Sequence, residues 1–167
     1  MRSSGSWWGN RVRQARAHVA ARVTDAERAE LATWSTSAEL AIFDAMPVAD
    51  RRHGLDVVAR LHALGAHDRD LLVAGLLHDC GKGIHVRLWH RVAWSLAERY
   101  GDWVLAFGRI VPGFRAGIDR IRRHADLSAE MLVAAGVSPR AAELARHQAD
   151  PVDPILGELL RAADEAA

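Results

Sequence analysis

Four histidines and two aspartates are placed where metal chemistry could use them: His53, His78, Asp79, His124, His147 and Asp164. The pair His78-Asp79 directly follows Leu71-Leu72-Val73-Ala74-Gly75-Leu76-Leu77, so neither side chain has an obvious solvated face. Burying an imidazole or a carboxylate costs free energy unless a partner compensates. Asp164 lies one turn after Leu160, beside Ala162 and Ala163, and is again an acid within an apolar stripe. An unpaired buried carboxylate neutralises itself by taking up a proton. A divalent ion removes the problem, because carboxylate oxygen and imidazole nitrogen together suit Mn, Fe, Co, Zn or Mg.

Each residue also has a plainer reading. His78-Asp79 could cap a core helix, and Asp164 could pair with Arg161. His53 follows Arg51-Arg52 and could lie on the surface, as could His124 after Arg122-Arg123; His147 could be a core histidine near Leu144. Lys82 is the single lysine among 22 basic residues. It either holds a substrate phosphate and steadies developing charge, or closes a helix end where positive charge is favoured. The first is preferred, since capping would tolerate the arginine used everywhere else. Arg120, Arg122 and Arg123 form either a phosphate clamp or an exposed helix face, with Arg123 taken as a substrate contact. Cys80 reads as a small buried filler, and His85 and His90 as solvated.

The elements that must position these groups read as helices. Alternating strand patterns are absent, and Ala, Leu, Arg and Glu dominate. Helices are expected over Trp7–Val23, from Thr24 (a capping box with Glu27) up to Pro47, and over Arg51–Leu64, closed by Gly65. Another is capped by Asp68 and ends at Gly81 and Gly83. Others cover Val86–Tyr100, Phe114–Arg123, Asp126–Ala135, Pro139–His147 and Ile155–Ala166. The expectation is an all-α, compact helical bundle. Residues 1–50 would supply N-terminal helices packing on the same domain, and 51–167 the metal-binding core.

Composition sets the outer limits. With 167 residues, half of them hydrophobic, the chain is long enough for a core without staples. A net charge of +1 gives no support to general nucleic-acid binding. The lone cysteine excludes an internal disulfide and any CxxC metal site. No apolar run approaches a transmembrane length and no secretory signal is evident, so a cytoplasmic protein is the default. The Trp7-Trp8 segment carries five arginines before the first acid, Asp25. Packing on its own domain or on a partner subunit is preferred for it over lying on a membrane.

The string His78-Asp79-Cys80-Gly81-Lys82 resembles the signature of the HD-domain superfamily of metal-dependent phosphohydrolases. His53 before the pair and Asp164 after it match that family's order, and the resemblance extends over about Arg51 to Ala166. It implies a first ion on His53, His78, Asp79 and Asp164, and a second on Asp79, His124 and His147, with Asp79 bridging. It also implies hydrolysis of a phosphate ester or anhydride, nucleotides included, by a metal-bound hydroxide, with Asp79 and Lys82 catalytic and a homodimer allowed. The Gly-Tyr-Pro motif of the cyclic-dinucleotide branch is missing, which argues against that substrate. A di-iron oxygenase of the same superfamily, or a non-catalytic ligand-binding module, are the alternatives.

Overall fold

A computed structural model describes residues 20–167. Within them lie nine bounded α-helices: α1 (Asp25–Leu31), α2 (Ser37–Ala45), α3 (Val48–Ala63), α4 (Arg69–Leu77), α5 (Leu88–Tyr100), α6 (Phe114–Arg122), α7 (His124–Ala134), α8 (Pro139–Arg146) and α9 (Leu156–Ala166). Short 3-10 turns occupy Cys80–Lys82 and Asp102–Ile110, and the described residues contain no strand. The chain is therefore an all-α, compact bundle. The helix expected over Trp7–Val23 falls almost wholly outside the described residues, and its last three residues are not helical.

The single helix expected between Thr24 and Pro47 is instead two. Thr36 and Glu39 form a second capping box like that of Thr24 and Glu27, so a new helix starts where the first would have continued. α3 opens at Val48, not Arg51, and takes Asp50 into its first turn.

Helix α4 is the axis of the bundle. All seven residues from Leu71 to Leu77 are buried, so no face of the helix is solvated. α3, α8, α9 and α2 pack around it. Each fully buried Leu or Val there contributes about 1.5–3 kcal/mol relative to exposure. Leu31, Phe43 and Met46 belong to the same core as Leu55, Leu76 and Leu160, so residues before position 51 share one interior with those after it.

Two glycines allow the close approaches that the site depends on. A Cβ on Gly54 would lie 2.3 Å from the Leu76 carbonyl oxygen, so only glycine lets α3 come this near to α4. That contact sets His53, the residue before Gly54, beside the end of α4, where His78 stands. At Gly81 a Cβ would meet the His124 carbonyl oxygen at 2.3 Å, which presses the Cys80–Lys82 turn onto the start of α7.

A second, smaller core lies over the segment from Val86 to Ile121. Val86, Ala97, Leu105, Phe114, Ile118 and Ile121 form it, apart from the main interior. Polar links bind this satellite to the bundle. Arg91 of α5 donates to both carboxylate oxygens of Asp50 at 2.7 and 2.8 Å. Arg120 of α6 donates from Nε to the carbonyls of Gly81 and Lys82 at 2.7 and 3.0 Å.

Candidate metal centre

Because the buried face of α4 runs to its last residue, His78 caps the helix inside the core. His78 and Asp79 are both almost fully buried, at 1% and 3% exposure. The His78 ring is fixed by Nδ1–H, which donates to the Gly75 carbonyl at 2.9 Å. Nε2 is thereby turned toward two carboxylates, 3.6 Å from Asp79 Oδ1 and 3.5 Å from Asp164 Oδ1. His53 Nε2 lies 2.8 Å from the same Asp164 oxygen, and the His53 and His78 rings meet edge-on at 5.2 Å. Donor atoms of His53, His78 and Asp79 fall within 4.8 Å of one another.

His124 approaches from the first residue of α7. Its Nδ1–H donates to the Ile121 carbonyl at 2.6 Å, leaving Nε2 3.5 Å from Asp79 Oδ1. Two histidines thus commit one nitrogen to a backbone carbonyl and present the other inward, the arrangement by which metal-binding imidazoles are oriented. Asp79 Oδ1 is buried and has no hydrogen-bond partner, whereas Oδ2 accepts from Lys82 Nζ at 2.6 Å. A buried carboxylate oxygen left unsatisfied among inward-facing imidazole nitrogens is the defect that a cation would correct.

The electrostatics agree. Burial opposes ionisation of Asp79, but Lys82 and then His78, His53 and His124 outweigh it and hold the carboxyl well below the usual range. Burial likewise opposes a charge on His78, yet Asp79 and Asp164 push its pKa up to about 9. Asp164 is lowered despite burial by the hydrogen bonds of His53 and His78. His124 is lowered by burial and by Lys82, so it favours the neutral form that a metal ligand requires. The floor of the cluster is dry, but its rim is not: His53, Asp164 and His124 side chains keep 29%, 33% and 23% of their exposure. This side is open to solvent.

Of the six expected ligands, His53, His78 and Asp79 bring donor atoms together, Asp164 adjoins them through the two histidines, and His124 adjoins Asp79. His147 does not join them. It caps α8 with its ring turned to Glu143 at 3.4 Å, and it lines a separate groove with Arg140, Val152, Asp153 and Gly157. Its neighbour Gln148 is the residue that points inward, buried, with Nε2 2.9 Å from His124 Nε2. Arg123 is exposed at the α6–α7 joint; the arginine that reaches the Lys82 turn is Arg120. His90, expected to be solvated, is buried at 3% exposure and stacks on Trp89, with both rings near Phe114. Arg161 pairs with Glu158 and Glu165, leaving Asp164 to the histidines. Cys80 is buried, and burial pushes its thiol up to about 11, so it is unreactive filler beside the site.

Asp50 escaped the sequence reading. It is 1% exposed, one turn before His53, and the charges of Asp79 and Lys82 both act on it. Burial raises its pKa while Arg91 opposes the rise. The sequence signal was an acid three residues before His53, with its partner 41 residues away.

Compared with family models, curated proteins and solved structures, the chain matches none of them. No helix among the described residues is long and apolar enough to cross a membrane.

Proposed function

We propose that the chain is a metal-dependent phosphohydrolase of the HD-domain type, acting on a phosphate ester or anhydride. The observation that carries this reading is Asp79 Oδ1, buried and without a hydrogen-bond partner between the Nε2 atoms of His78 and His124. His53, His78, Asp79 and Asp164 would hold one divalent ion. Asp79 and His124 would contribute to a second, but with His147 turned away the residues fit the first ion best. An ion held there supplies Lewis acidity toward a phosphoryl oxygen and makes water a nucleophile near neutral pH.

The chain's own groups do the rest. The Gly75 and Ile121 carbonyls fix the two imidazoles so that the exchangeable nitrogen of each faces Asp79. Lys82, at the rim with 18% of its side chain exposed, would hold a phosphate oxygen and steady charge on the leaving group. Arg120 fixes the backbone of that lysine through the Gly81 and Lys82 carbonyls. The buried floor excludes bulk water beneath the reacting group, where electrostatic interactions are strongest.

The test is metal content by mass spectrometry on protein purified without chelator or nickel, beside Asp79→Ala, followed by a phosphate-ester screen. The reading expects at least one ion of Mn, Fe, Co, Zn or Mg per chain, lost in the variant, with phosphate release that needs the ion. No ion after reconstitution would overturn it in favour of a binding module. Iron with oxygen consumption and no phosphate release would overturn it in favour of an oxygenase.

A further inference from the structure

Charge is divided along this chain in a way its net +1 conceals. Residues 84–123 hold eight arginines against three acids, a net +5. Residues 24–83 hold six basic groups against ten acids, and 124–167 three against eight. The segment that forms the satellite core is thus strongly basic, while the segments that supply His53, His78, Asp79 and Asp164 are acidic.

The same segment exposes apolar side chains. Ile110 is 90% exposed and Ile84 72%, with Trp103 at 63% and Val111 at 43%. On α5, Trp89, Val92, Leu96 and Tyr100 follow one another at helical spacing and keep partial or full exposure, while Ala93, Trp94 and Ala97 pack inward. Ile110, Val111 and Pro112 line a groove together with Arg115. Arg87, Arg115 and Arg123 of the same segment are exposed, Arg115 at that groove.

We propose that this segment docks on an anionic phospholipid surface. Exposed aliphatic and tryptophan side chains among arginines fit the boundary between headgroups and acyl chains, where an apolar depth lies under negative charge. Nucleic acid would meet the arginines but offers nothing to bury Ile110 or Ile84. A second copy of the segment would set its excess of arginines against another such excess. Arg120 ties the segment to the Gly81–Lys82 turn, so the docking surface adjoins the His–Asp cluster. The proposal does not depend on hydrolysis.

The experiment is co-sedimentation of the full chain with vesicles of phosphatidylcholine alone and with one part phosphatidylglycerol to two of phosphatidylcholine. Binding to the anionic vesicles should exceed that to neutral ones at least tenfold and fall sharply at high salt. The double variant Ile110→Glu, Val111→Glu should bind at least tenfold more weakly. Ile110 touches little of the fold, so the variant's circular dichroism and melting should match the parent. Equal binding to both vesicles, no binding, or unchanged binding by the variant overturns the proposal. So does a dimer in solution that the variant dissociates, or a duplex DNA complex tighter than the vesicle complex.

Discussion

Replacing Arg91 by methionine removes one member of the pair that pins α5 to α3, the helix that carries His53. Asp50 keeps its carboxylate in the interior, with 2% of its side chain exposed, and loses both hydrogen bonds from the guanidinium. Breaking a buried ion pair from one side costs about 3–5 kcal/mol. Arg91 retains 22% of its side-chain exposure, so water already screens that partner and the lower end, about 3 kcal/mol, is expected. For a chain of this size that lowers the melting temperature by about 6–12 °C. Asp50, already raised by burial against the pull of Arg91, would rise further, so the carboxyl protonates at a higher pH in the variant. The gap between parent and variant should therefore be widest at neutral pH and close as acid neutralises the stranded group. Asp50→Leu in the Arg91→Met background should recover most of the loss, because an apolar pair leaves no buried charge. Urea unfolding at several pH values, with the slope checked for constancy, measures all of this. A loss under about 1 kcal/mol, or one that is the same at pH 5 and pH 8, would refute the reasoning.

In chelated protein, His78 stabilises the fold fully below its unfolded value of 6.5, and that stabilisation is gone once the pH passes about 9. Thermal melts of the ion-free chain should show the decline across that window, where Asp79 and Asp164, both lowered, stay ionised and add no pH dependence. Gly81→Ala would drive a methyl into the His124 carbonyl and the Ser128 amide at 2.3 and 2.7 Å, and should cost about 2–4 kcal/mol and weaken ion binding. Gly136→Ala meets nothing within 4 Å and has only its positive φ of 75° to overcome, so about 1 kcal/mol and no change in metal content are expected. His147→Ala should leave ion occupancy intact, as read by metal analysis; loss of an ion would mean that residue belongs with the other five.

What the sequence disclosed of the site was the part governed by local pattern. The unbroken apolar run before His78 required burial, and burial is what the structure gives it. Helix ends marked by Asp68, Gly65 and Ser138-Pro139 were equally plain, since their chemistry lies within a turn of the boundary. The break between α1 and α2 was missed, although Thr36 and Glu39 repeat the signature at Thr24 and Glu27. Asp50 with Arg91 was not legible, because nothing within one helix says that two charges on different helices will meet. The choice between His147 and Gln148 turned on a single residue of rotation at the end of α8, where the helix stops and its 100° step no longer applies. The 3-10 turn over Asp102–Ile110 has no repeating apolar spacing to announce it.

Cys80 is the chain's one thiol, and it stands next to Asp79 with Sγ against the Ser128 carbonyl at 3.9 Å. Shut in and held protonated, it can meet an alkylating reagent only when the turn on which the His–Asp cluster depends swings open. Its labelling rate is therefore a clock for that one motion, read without attaching any probe. An ion that clamps Asp79 would slow the clock, and loss of the Arg120 bonds to the Gly81 and Lys82 carbonyls would quicken it.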